Sequence, residues 1–149
     1  MVERSSVGKS GDWFEMDIEK GKIREFARAT WSANPSYLVD PLPVCEPTFL
    51  TTMIFWQGPT SNPWDEVAMN QERGLHAEQE FTFLGTPPRA GTRLRARSTI
   101  TDVFEKEGKR GGTMTFAVMV TDFFDDGGAL VAQSKMTGVE TSRPPEELS

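Results

Sequence analysis

The chain has 149 residues, 37% hydrophobic and 26% charged, which suits one globular domain with a real core and excludes disordered and collagen-like classes. Sixteen Lys and Arg against 22 Asp and Glu give a net charge of −6, so a phosphate backbone would repel the chain and nucleic acid is not an expected partner. One cysteine, Cys45, excludes an internal disulfide framework, and one histidine, His76, excludes the usual Cys/His zinc sites.

Residues 1–11 are polar and lack the apolar centre of a signal peptide. No later apolar run approaches the roughly 20 residues that span a bilayer, so a cytoplasmic protein with no membrane partner is expected. After a short strand at about 13–16, Ile23, Phe26, Ala27, Thr30 and Trp31 recur at helical spacing. They predict an amphipathic helix over about 17–31, with Asp17 as N-cap and Glu19 in the first turn. Lys20, Lys22, Arg24, Glu25 and Arg28 form its solvated outer face. Asn34-Pro35 reads as the end of that helix, and Asp40-Pro41-Leu42-Pro43 keeps the chain extended.

Residues 47–57 are apolar or small nearly all round, which predicts a helix enclosed on every side, with Pro47 in its first turn and Gly58-Pro59 as its stop. Residues 59–74 read as a loop with a helical turn near 65–70. The period then becomes two. Phe81 and Phe83 alternate with polar neighbours, as do Leu94, Ala96, Ser98 and Ile100, while Met114, Phe116, Val118 and Val120 form a third row. Gly111-Gly112 and Gly127-Gly128 mark hairpin turns, a last strand covers about 129–141, and 142–149 is a polar tail expected to fray. One domain over 7–141 is expected, of α+β class, with a long antiparallel sheet wrapped around a buried apolar helix.

The helix that leads into Ala33-Asn34-Pro35, the run Glu46-Pro47-Thr48-Phe49-Leu50 and the run Leu75-His76-Ala77-Glu78-Gln79-Glu80-Phe81, in that order, resemble the MaoC-like dehydratase/hydratase family. More narrowly, they look like its N-terminal, non-catalytic type of domain. The resemblance implies a hot-dog fold and action on thioesters of coenzyme A or acyl carrier protein, from fatty acids or steroid side chains, with no separate cofactor. The implied reaction is reversible addition of water across the 2,3 double bond of an enoyl thioester, as in (R)-specific enoyl-CoA hydratases and 3-hydroxyacyl dehydratases.

Catalytic members carry an aspartate and a histidine in a run resembling Gly-Asp-x-Asn-Pro-x-His. Here that run reads Trp31-Ser32-Ala33-Asn34-Pro35-Ser36-Tyr37, with Ser32 in place of the aspartate and Tyr37 in place of the histidine. A carboxylate and an imidazole titrating near neutrality exchange protons with water; a serine hydroxyl and a tyrosine of pKa about 10 do not. By resemblance the chain is then an accessory, substrate-binding subunit, and its partner is a homologous hot-dog subunit carrying Asp and His. A homodimer is the other assembly open to it.

Asn34, Thr48, Phe49, Thr52, Phe55 and Trp56 are the expected substrate-binding residues, with Met53 and Trp64 adding apolar surface. In the family a backbone N–H where the helix opens, at Thr48 and Phe49, faces the thioester carbonyl; Thr48 replaces the family's glycine there. His76 is the remaining candidate for proton transfer, against a structural role at a strand start. Cys45 is a nucleophile or a small packing residue. Arg93, Arg95 and Arg97, with Arg89 nearby, form either a solvated sheet face or a patch for the phosphates of coenzyme A. Two rival functions remain open: a stand-alone acyl-CoA thioesterase using Glu46, and a non-enzymatic acyl-thioester binding protein.

Overall fold

Buried Phe14 and Met16 alternate with exposed Glu15 in the first strand, β1 (Phe14–Asp17). The computed structural model describes residues 2–108 and 112–142. Asp17 closes β1 opposite Arg93 instead of capping the helix; Glu19 stands at the N-cap position with no side-chain cap bond. Helix α1 (Lys20–Ala29) buries Ile23 and Ala27.

α1 ends two residues short of the expected boundary. The Trp31 N–H donates to the Arg28 carbonyl at 3.1 Å and the Ser32 N–H to the Ala27 carbonyl at 2.8 Å, a reciprocal C-terminal turn. Its left-handed position, which favours glycine, is filled by Trp31 at φ 58°. The indole therefore swings out, 93% exposed, and leaves the apolar stripe it was expected to complete. Asn34-Pro35 does not stop a helix; it starts α2 (Pro35–Leu38). The Asn34 side chain accepts the Ser36 N–H at 3.0 Å, and Pro35 takes the first position, where a missing N–H costs nothing.

The central segment also departs from expectation. It is a 3₁₀ helix over Phe49–Phe55, not an α-helix over 47–57, and it is buried on one side only. The Thr51 and Thr52 hydroxyls return to the carbonyls of Thr48 and Phe49, at 2.6 and 2.8 Å, a three-residue spacing that suits the tighter turn. Phe49, Leu50 and Met53 face the sheet, whereas Ile54 and Phe55 stand 58% and 79% exposed. The next turn runs over Pro63–Val67 instead of 65–70, because Asn62 accepts the Trp64 N–H and Pro63 opens the turn behind it.

Four long strands complete the antiparallel sheet: β2 (Gly74–Phe83), β3 (Arg93–Glu107), β4 (Thr113–Phe124) and β5 (Leu130–Glu140), in the order β1-β3-β4-β5-β2. β3–β4 and β4–β5 are hairpins, with Gly112 and Gly128 at φ 86° and 81° in their turns. Gly111 and residues 143–149 of the tail lie outside the described residues. β2 does not form a hairpin with β3; it lies on the far edge beside β5. The connection between them is tied to the segment before the 3₁₀ helix: Cys45 N–H donates to the Pro88 carbonyl and Ala90 N–H to the Pro43 carbonyl, both at 2.9 Å.

Leu94, Ala96, Ser98 and Ile100 of β3 are all buried, as their alternation predicts. A bulge at Thr101 then resets the parity, so Val103 also faces inward. β4 reverses the expected emphasis. Ala117, Met119, Thr121 and Phe123 fill the core side, because the register sets Met119 beside Ile100 and Phe123 beside Ala96. Phe116, Val118 and Val120 line the outer face with Phe104.

Candidate functional site

The residues expected to bind substrate fall into two groups. Phe49, Thr52, Phe55 and Trp56 line one cavity of ≈ 490 Å³, together with Phe26 and Ala29 from the inner side of α1. Phe26 meets Phe49 edge-on, with ring centroids 5.5 Å apart, which fixes α1 against the 3₁₀ segment and forms the apolar floor. Asp17, Lys22 and Glu25 form a charged rim. The Arg93 guanidinium beside Asp17 holds its carboxyl below the usual range, and Glu25, hydrogen-bonded to Lys22 at 2.9 Å, holds that ammonium above its own. Phe26, Ala29 and the rim were missed in the sequence; the helical period that put Phe26 inward could have found the floor, but Lys22 and Glu25 read as an ordinary solvated face and Asp17 as a helix cap.

Asn34 and Thr48 belong to the second group and do not line that cavity. Asn34 caps α2 with its side chain. Exposed Thr48 gives its carbonyl to the Thr51 hydroxyl and N–H. Ser32 accepts the Asn34 N–H at 3.3 Å, and Tyr37 packs half-buried against the main core. His76 is on neither side of the cavity; it lies exposed in the edge strand β2, opposite Gly138 and next to a bulge. Among the described residues, no three His, Cys, Asp or Glu side chains gather as a metal-binding group.

Two residues just before the 3₁₀ segment have distinct characters. Cys45 is buried, and loss of solvent pushes its thiol from about 9 up to about 12, which removes the thiolate a nucleophile needs. Glu46 is 5% exposed; one carboxylate oxygen accepts the Thr30 hydroxyl at 3.0 Å, and the other has no hydrogen-bond partner.

The arginine row shares one side of β3, but its guanidinium groups are engaged. Arg93 pairs with Asp17 and Glu15, Arg95 lies 4.2 Å over the Trp13 ring, and Arg97 donates to the Gly11 carbonyl at 2.9 Å. Arg89 donates to the Leu42 carbonyl at 2.8 Å, with Asp40 3.7 Å away. A second, open groove of ≈ 560 Å³ crosses the outer face of the sheet around Phe104 and Phe116. It is larger than the cavity, but no helix contributes to it.

The model of the FAS1-like dehydratase domain region matches residues 5–134 of the chain. The chain belongs to this dehydratase family. Its fold is the hot-dog fold of the MaoC-like dehydratases and hydratases. A curated relative, the UPF0336 protein SCO4636 of Streptomyces coelicolor, is 32% identical over 108 residues, 66% of this chain and 71% of that protein. Among solved structures, the C-terminally truncated HadBC (3R-hydroxyacyl-ACP dehydratase) complex of Mycobacterium tuberculosis superposes with a TM-score of 0.67 and 23% identity, covering 90% of this chain and 96% of that one. The ChsH1-ChsH2 complex of the same organism gives 0.70 and 15%, covering 96% and 93%.

Proposed function

We propose that this chain is the accessory, substrate-binding subunit of a cytoplasmic enoyl-thioester hydratase, or 3-hydroxyacyl-thioester dehydratase, of the N-terminal, non-catalytic MaoC-like type. The observation that carries the reading is the turn over 31–37. It keeps a helix end and an N-capped second helix, but Ser32 and Tyr37 stand where the family's acid/base pair belongs, and the Ser32 oxygen is taken up by the Asn34 N–H. A neutral hydroxyl in that position has no means of drawing a proton from water at neutral pH.

The chain's own contribution is then the acyl pocket. Phe26, Phe49, Phe55 and Trp56 offer adaptable apolar surface in a cavity of a size that holds a small ligand or the tail of a larger one, which favours a bulky or long acyl group. The proton chemistry comes from a homologous hot-dog subunit with Asp and His, which adds the water oxygen to C3 and a proton to C2 without any cofactor beyond the thioester. Edge-to-edge strand pairing joins the two subunits, and β2 is the suitable edge: residues 75–80 are exposed throughout. The HadBC and ChsH1-ChsH2 complexes support such a two-chain assembly.

The reading is tested by following hydration of enoyl-CoA esters, from short linear to bulky, by this chain co-purified with an Asp/His-bearing homologue. Phe55→Ala is expected to reduce turnover of the bulky esters in the pair and to spare the short ones; an unchanged acyl preference would contradict the pocket assignment. Buried Glu46, with one oxygen unpartnered, favours a second reading as a thioesterase. Release of free thiol by the isolated chain, abolished by Glu46→Gln, would establish that activity instead.

A further inference from the structure

β2 and β1 are the two edges of the sheet, and they differ in length: β2 has 10 residues and β1 has 4. Along β2 the two faces carry different chemistry. Gln79 and Phe81 turn to the core side; Gln79 donates to the buried Ser134 hydroxyl at 2.8 Å, and Phe81 packs on the main core. Glu78 and Glu80 turn to the outer side, where both reach Lys135 of β5, at 3.7 and 3.3 Å. Glu78 also accepts the Thr137 hydroxyl at 3.3 Å. The two carboxylates hold the Lys135 ammonium above its ordinary range, yet each copy has one such cation for two anions. The outer groove opens on the same edge, with Ala77, Glu78, Lys135 and Thr137 among its lining.

An antiparallel pair of identical edges has its two-fold axis at one residue, and a continuous sheet sets outer-face residues against outer-face residues. With Gln79 on the axis, Glu78 of each copy faces Glu80 of the other. With Glu78 or Glu80 on the axis, that residue faces itself. Each central register therefore sets carboxylate directly against carboxylate, which destabilises a strand pair. The same two positions become favourable when the opposite strand supplies cations.

We propose that β2 is a charge-coded edge on which Glu78 and Glu80 disfavour a second copy of this chain and select a homologous hot-dog chain with Lys or Arg opposite them. This rests on the accessory-subunit reading for its partner, and it decides between the homodimer and the heteromer.

The chain itself can supply both edges for the test. Sedimentation equilibrium and native mass spectrometry would compare the unaltered chain, the double variant Glu78→Gln/Glu80→Gln and the double variant Glu78→Lys/Glu80→Lys, with circular dichroism to verify that each is folded. The Gln variant should self-associate about tenfold more tightly than the unaltered chain at low salt, with the gap closing as salt rises. An equimolar mixture of the unaltered chain and the Lys variant should give mixed dimer well above the statistical half. Equal self-association of the unaltered and Gln chains, a statistical mixture, or no dimer in any combination would overturn the proposal. None of these readouts involves turnover, so a failed charge code leaves the hydratase reading standing, and a failed hydratase reading leaves the charge code measurable.

Discussion

The turn over 31–37 and the 3₁₀ segment Phe49–Phe55 divide the work of the fold differently. In the turn, the side-chain oxygens of Ser32 and Asn34 are spent on local backbone N–H groups, so the segment keeps its shape and has little polar capacity left for chemistry. In the 3₁₀ segment, Leu50 and Met53 anchor one side in the core, Phe49 is both a core anchor and the cavity floor, and Thr52 and Phe55, with the adjoining Trp56, line the rest of the cavity. The contrast teaches that a binding surface can stand on its packing alone, whereas an acid/base site depends on the identity of one or two side chains.

The largest effect should come from breaking the anchored side. Phe49→Ala removes a ring that is 1% exposed and touches Phe26, and about 3–4 kcal/mol of stability should be lost in urea unfolding. Cys45, which directly precedes this segment, sharpens the contrast through pH. Its thiol titrates higher in the folded chain than in the unfolded one, so the folded state holds the extra proton and stability falls as pH rises above about 9 towards about 12. The slope should reach about 1.4 kcal/mol per pH unit, and Cys45→Ala should flatten that part of the stability profile.

Two smaller changes act on the turn, in opposite directions. Asn34→Ala removes the cap of α2 and should cost about 1 kcal/mol. Trp31→Gly relieves a left-handed backbone and should add roughly 1 kcal/mol, seen as a rise in Tm. Smallest in stability is Phe55→Ala, within about 0.5 kcal/mol because the ring is 79% exposed, although it lines the cavity. A large loss of stability there would show that the ring is structural.

The strands were legible because period-two alternation is set by burial on one face: β1 and β5 fall within a residue of their expected limits, whereas β3 runs on to Glu107, seven residues past the alternating row that marks it in the sequence. Sheet order was not, since nothing local to β2 says that its neighbour is β5, whose paired residues lie far along the chain, from Phe83 beside Ala132 to Gly74 beside Glu140. The bulge at Thr101 likewise has no local marker, and the inward row of β4 depends on the register beyond it. Helix ends failed for a chemical reason: Trp31 occupies a position where glycine would have announced the stop, so the apolar period seemed to run on. The 3₁₀ segment was overestimated because an apolar run looks enclosed when one side of it faces a cavity and solvent. For the site, Phe49, Thr52, Phe55 and Trp56 line one cavity together because they share one apolar run, while Phe26, Ala29 and the charged rim needed the packing of α1 on the 3₁₀ segment to come into view.

Whether this dehydratase fold works without an acid/base pair of its own is decided by the rate of enoyl-CoA hydration by the isolated chain across the same panel of esters. The isolated chain should leave every ester at the uncatalysed background, with turnover appearing when the Asp/His-bearing homologue is added. Hydration by the isolated chain, lost in His76→Ala or Tyr37→Phe, would contradict it and put the proton chemistry back within this subunit.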